Sequence, residues 1–99
     1  MGAGETGTGY RVSFDPAAVD DLRDLDPPVR KHIAEKIEWL KEHADQTRHQ
    51  RLKGLPKDIG GLCRYRVGDY RVLYWIYSER REIRVYAVIH RRTAYGILR

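Results

Sequence analysis

The residues that can do chemistry in this 99-residue chain are mostly arginines in its second half. Arg64, Arg66 and Arg71 lie in the run Cys63-Arg64-Tyr65-Arg66-Val67-Gly68-Asp69-Tyr70-Arg71, and His90-Arg91-Arg92 is followed by Tyr95 near the end. Arginine keeps its proton at ordinary pH and presents forked N–H donors that match phosphate oxygens. Histidine, titrating near about 6.5, is the side chain suited to moving a proton at neutrality. Such a set supports cleavage of RNA: guanidiniums stabilise charge on the phosphate while a proton-transferring group activates the ribose 2′-OH. Other chemistries lack their motifs. His32, His43 and His49 have no zinc-ligand spacing, and there is no HExxH pair, paired-carboxylate motif or serine-nucleophile motif. No metal or cofactor is implied. Asp20, Asp21, Asp24 and Asp26 surround helix ends and read as capping and solvating groups, Trp39 and Trp75 as packing residues, and the lone Cys63 as a small core residue.

The charge is divided along the chain. Residues 1–47 hold 6 basic and 10 acidic side chains, net −4, whereas residues 48–99 hold 13 basic and 4 acidic, net +9. A strongly basic half points to a polyanionic partner, most simply nucleic acid. The mass permits one domain that buries about two-thirds of its surface, without disulfide staples. No apolar run reaches the length of a membrane span, and Met1 to Tyr10 lack the basic start and apolar stretch of a secretion signal, so a cytoplasmic location is expected.

These residues need elements to position them. Residues 1–8 are Gly-rich without periodicity and read as a disordered lead, leaving one domain over 9–99. Tyr10 to Phe14 alternates as a short strand. Asp15-Pro16 and Asp26-Pro27-Pro28 each read as a capped helix start. Ala18, Leu22 and Leu25 line the first helix, and Val29, Ile33, Ile37 and Leu40 the second, a helical hairpin. From Ala44 to Gly61 periodicity is lost, and the segment reads as a loop bearing Arg48, Arg51, Lys53 and Lys57. Leu62 to Val67, a tight turn at Gly68-Asp69, Tyr70 to Tyr77, a looser turn over Ser78 to Arg81, and Glu82 to Arg91 form a three-stranded meander. The expected fold is α+β: an N-terminal strand and helical hairpin on a mainly antiparallel four-stranded sheet, with a short C-terminal helix or tail. With Gly68-Asp69 as the turn, Arg66 faces Arg71 and Arg64 faces Leu73. Cys63, Tyr65, Val67, Tyr70, Val72, Tyr74 and Ile76 then share the helix side, and Arg64, Arg66, Arg71, Leu73 and Trp75 the other. Two directly opposed arginines cost a few tenths to about 1 kcal/mol, a repulsion that a bound anion would relieve.

The order of elements, Leu52-Lys53-Gly54-Leu55, the Gly-Asp-Tyr-Arg hairpin, and Val88-Ile89-His90-Arg91-Arg92 followed by Tyr95 resemble the RelE/ParE toxin superfamily over about residues 9 to 96. The resemblance implies a toxin of a type II toxin–antitoxin pair. Its RelE-like branch consists of ribosome-dependent mRNA endonucleases that use basic side chains without a metal and leave a 2′,3′-cyclic phosphate. By position, it implies catalytic roles for Arg66, Arg71, Arg91 and Tyr95, and RNA contacts by Arg64 and Lys53; Lys57 and Arg92, from the same basic half, are expected to add RNA contacts. Where this chain has Arg66, RelE-type toxins can have lysine, which loses a proton more readily. His90 is therefore the expected base. The implied partners are a RelB-like cognate antitoxin, the 70S ribosome and mRNA, and operator DNA only through the antitoxin complex, with no membrane partner. The alternative is a ParE-type inhibitor of DNA gyrase without nuclease chemistry; a third reading is an inert member that only binds its antitoxin and DNA.

Overall fold

The computed structural model describes residues 9–93. The expected lead over residues 1–8 and the site candidate Tyr95 lie outside the described residues. Strand β1 (Arg11–Phe14) leads into helix α1 (Pro16–Arg23) and helix α2 (Pro27–Glu42). Prolines open both helices, where a missing N–H leaves no helical bond unmade. The aspartates before them do not cap through their side chains. The Asp15 carboxylate instead pairs with Arg84, and the first turn of α1 closes on the Asp15 backbone carbonyl. The cap expected from sequence is thus replaced by a tie to the sheet.

Ile33, Ile37 and Leu40 are the buried residues of α2, four and three positions apart as one face of a helix requires. They meet the core with Ala18 of α1 and, from the sheet, Cys63, Val67, Val72, Tyr74, Ile83, Val85 and Val88. The helices therefore form one layer on one side of the sheet.

The sheet has five strands rather than four. Inside the segment read as a loop, Gln50–Arg51 forms β2, flanked by 3₁₀ turns at Ala44–Gln46 and Lys57–Ile59. Two residues are too short to display a period, and β2 exists because its backbone pairs with β3 (Cys63–Val67). Strands β4 (Tyr70–Tyr77) and β5 (Glu82–His90) complete the order β1-β5-β4-β3-β2, with β1 parallel to β5 and the other pairs antiparallel. The looser turn is a 3₁₀ turn, Ser78–Arg80, closed by Arg81 at φ 53°.

The β3–β4 register is the one expected: Val67 opposite Tyr70, Arg66 opposite Arg71, Tyr65 opposite Val72, Arg64 opposite Leu73 and Cys63 opposite Tyr74. Gly68 takes φ 57° while Asp69 does not have a positive φ, the pattern of a two-residue turn with glycine first, which matches the natural twist of paired strands.

Strand β5 carries an irregularity that the sequence did not reveal. Leu73 pairs with Ala87 but Tyr74 pairs with Val85, so Tyr86 has no rung of its own. Such a bulge leaves a backbone group unmatched and turns the following side chains to the other face. The Asp21 carboxylate of α1 accepts the Val88 N–H at 2.9 Å, beside the bulge, so one acidic residue read as a helix-end group serves the sheet instead.

Candidate nucleic-acid interface

Alternation along β3 and β4 puts Arg64, Arg66 and Arg71 on the side away from the helices. Arg66 is exposed, and Arg64 and Arg71 are half-buried. Among the described residues neither Arg64 nor Arg66 has an acidic ion-pair partner. The Arg71 guanidinium donates to the carbonyls of Gly68 at 3.0 Å and Tyr70 at 2.9 Å, which orient it without cancelling its charge. Between these two carbonyls, that of Asp69 accepts the Arg91 N–H at 2.8 Å. One hairpin turn therefore organises Arg71 and the end of β5 together. The Asp69 carboxylate stands 3.8 Å from Arg91 Nε, with both side chains more than half exposed. An exposed pair of that length is weak enough for another anion to replace.

The loop bearing Lys53 and Lys57 is tied to the same face. The Trp75 indole N–H donates to the Gly60 carbonyl at 3.0 Å, and Leu62 and Leu73 are buried although both lie outside the helix-side core. Lys53 and Lys57 are exposed. The arginine face is thus basic toward the hairpin and apolar toward this loop.

His90 is where the structure departs most from the sequence reading. It pairs with Tyr70, a helix-side residue, and the two rings meet edge to face with centroids 5.2 Å apart. The bulge accounts for this. With Val85 and Val88 both in the core, Tyr86 and Ala87 fall together on the arginine side and His90 on the helix side. His90 Nδ1 accepts the Arg92 N–H at 3.2 Å. The expected base therefore lies across the sheet from Arg66 and Arg71. Arg91 and Arg92 are exposed in the helical turn of residues 91–93 that follows β5.

The other reactive groups are structural. Burial pushes the Cys63 thiol up, away from the thiolate form. His49 joins the buried Tyr74 hydroxyl, 2.6 Å from Nδ1, to the Ala44 carbonyl, 2.8 Å from Nε2. The carbonyl only accepts, so the Nε2–H donates to it, and the Tyr74 hydroxyl is the hydrogen-bond partner of Nδ1. Among the described residues no three His, Cys, Asp or Glu side chains come together as metal ligands would, and no helix is long and apolar enough to cross a membrane.

Sequence reasoning missed Tyr86, which meets Trp75 on the arginine side, centroids 5.3 Å apart. Alternation from the buried Val85 already turns Tyr86 to that side, and the bulge leaves it there without a rung partner; no local sequence signal marks that bulge.

A family model for the ParE toxin of type II toxin–antitoxin systems, parDE, matches residues 12–95. Among solved structures, the chain is similar to the RelBE2 toxin–antitoxin complex of Mycobacterium tuberculosis, at 26% identity and TM-score 0.70, covering 85% of this chain and 93% of that one. The archaeal RelE–RelB complex of Pyrococcus horikoshii is similar at 25% identity and TM-score 0.64, over 84% and 96% of the two chains. The chromosomal ParDE system of P. aeruginosa shares the fold at 14% identity and TM-score 0.62, over 85% and 98%. No curated protein matches in sequence. The chain belongs to the ParE toxin family, within the RelE/ParE superfamily, and is the toxin of a type II toxin–antitoxin system.

Proposed function

We propose that this toxin is an endoribonuclease that cleaves mRNA on the ribosome. The observation that carries the reading is the direct opposition of Arg66 and Arg71 across β3 and β4, with Arg64 beside them on the same face. Two directly opposed guanidiniums repel one another, whereas a phosphodiester between them gains charge-assisted hydrogen bonds from both.

In the proposed step the ribose 2′-oxygen attacks the adjacent phosphorus and the P–O5′ bond breaks. The products are a 2′,3′-cyclic phosphate and a 5′-hydroxyl end; the 2′-OH proton leaves to a base and O5′ gains a proton. Arg66 and Arg71 hold the phosphate and the charge that grows on it, Arg64 and Arg91 hold flanking phosphates, and Lys53, Lys57 and Arg92 add backbone contacts. His90, across the sheet, does not take part in proton transfer in this arrangement. Tyr95 remains the candidate for that task among the residues singled out by sequence. The partner that neutralises the toxin is a cognate antitoxin, as in the RelB-bound relatives, acidic where it meets the basic face.

The match to the ParE family model favours a second reading, in which the chain binds and inhibits DNA gyrase without cutting RNA. Induced expression with primer extension on a reporter mRNA, run beside a gyrase supercoiling assay, separates the two. Cuts at fixed positions within codons are the expected result, and intact message with inhibited supercoiling overturns the nuclease reading.

A further inference from the structure

We infer that the Trp75–Tyr86 corner is a base-stacking subsite, where a nucleobase of bound single-stranded RNA packs while the neighbouring arginines hold its backbone. The inference rests on the nucleic-acid reading of the arginine face and adds to it where the bases go.

Three observations converge. First, Tyr86 and Trp75 meet at an interplanar angle of 63° and both are half-buried, so the two rings form an open corner rather than a sealed stack. Trp75 is held in place by its 3.0 Å hydrogen bond to Gly60. Second, the corner is on the arginine side. Trp75 lies four residues along β4 from Arg71, about 13 Å, a span that a short stretch of single strand covers. Between them Leu73 pairs with Ala87, and with Ile89, the rung partner of Arg71, they make a floor of uncharged side chains. One face thus offers cations at the hairpin, an apolar floor and an aromatic wall. That combination takes a nucleotide chain: charge tracks the backbone, and rings stack on bases of any identity.

Third, an irregularity of β5 falls at the corner itself. Without the bulge, strict alternation from Val85 would leave Tyr86 opposite a different neighbour and return His90 to the arginine side. Two residues past Tyr86, the Val88 N–H donates to the Asp21 carboxylate. Bulges of this kind re-aim side chains, and here those re-aimed lie after Tyr86: Ala87 joins the tyrosine on the arginine side and adds a small apolar neighbour to the corner.

The test uses the full-length toxin carrying Trp39→Phe, which leaves Trp75 as the sole tryptophan. The probe is a short single-stranded oligoribonucleotide with 2′-O-methyl groups, which binds but has no nucleophile to be cut. Trp75 emission should be quenched along the same saturation curve that anisotropy of a labelled probe follows. Tyr86→Ala should weaken binding about tenfold while leaving its salt dependence unchanged, and Tyr86→Phe, which keeps the ring, should bind as the parent does. Arg71→Ala should instead flatten the salt dependence, by about 0.7 in the log–log slope for one lost phosphate contact. A purely structural tyrosine would show no quenching and no loss of affinity in Tyr86→Ala protein whose unfolding midpoint matches the parent; either result overturns the subsite. Binding weaker than roughly 10⁻⁴ M overturns it as well. Quenching without mRNA cleavage would defeat the nuclease reading and leave the subsite standing, and cleavage without quenching would do the reverse.

Discussion

At the scale of single residues, the site is a matter of direction. Arg66 and Arg71 share a face because they are rung partners, and His90 does not share it because its rung partner is Tyr70. Arg71→Ala should therefore abolish mRNA cleavage and growth inhibition while antitoxin binding persists, and His90→Ala should leave cleavage within a fewfold of the parent. Primer extension after induction of each variant checks both. Equal losses in the two would mean that His90 reaches the arginine face after all. The opposed pair also carries a stability cost. Arg66→Gln should raise the unfolding free energy by a few tenths to about 1 kcal/mol while lowering RNA affinity, measured by urea denaturation and probe titration.

At the scale of elements, α1 and β5 depend on one another. Asp21 reaches from the helix to the Val88 N–H, two residues past the bulge, and Arg84 reaches back to Asp15, just before the same helix. Asp21→Ala would strand a strand-edge donor beside a well-packed valine and should cost about 1–3 kcal/mol, read from the urea midpoint. It should also disturb the face beyond the bulge, so its effect on RNA binding should exceed that of a neutral change at the nearby exposed Asp20. The Gly68-Asp69 turn plays the matching part for Arg71 and Arg91, since its successive carbonyls receive the Arg71 guanidinium and the Arg91 amide.

At the scale of the whole molecule, the acidic half of the chain supplies β1 and both helices while the basic half supplies the rest of the sheet, including its arginine face. The two are sewn together where β1 begins. Asp45 holds Arg81 at 2.9 Å and accepts the Tyr10 hydroxyl at 2.9 Å, and the Arg81 guanidinium lies 4.4 Å from the centre of the Tyr10 ring. Glu82 accepts from Arg80 and from Ser13, both at 2.8 Å. Arg81, then Tyr10, lower the Asp45 carboxyl below its usual range, and Arg80, then Ser13, do the same for Glu82. A carboxyl depressed in the folded state contributes stability above its unfolded pKa of about 4, and that contribution is lost as pH falls through the lower folded value. The melting temperature should therefore hold steady from neutrality to about pH 5 and decline below about pH 4. Arg81→Ala should remove the Asp45 share of that decline.

How much of this was legible beforehand differs from element to element. The stripe of Ile33, Ile37 and Leu40 declares its helix, and Gly68-Asp69 between alternating strands declares its hairpin, so the placement of Arg64, Arg66 and Arg71 on one face follows from neighbours in sequence. β2 was hidden because a two-residue strand is defined by its partner. The bulge was hidden for a sharper reason: Tyr86-Ala87-Val88-Ile89 is apolar throughout, so a slip of one residue leaves the alternation pattern equally plausible in either register. In the register adopted, the Val88 N–H meets a carboxylate 67 positions earlier, on a different element. Local chemistry determined which charges the chain carries and which of them face one another across the hairpin. Only the tertiary structure, through the bulge at Tyr86, decided that Tyr86 stands without a rung partner beside Trp75 and that His90 turns away from the arginines.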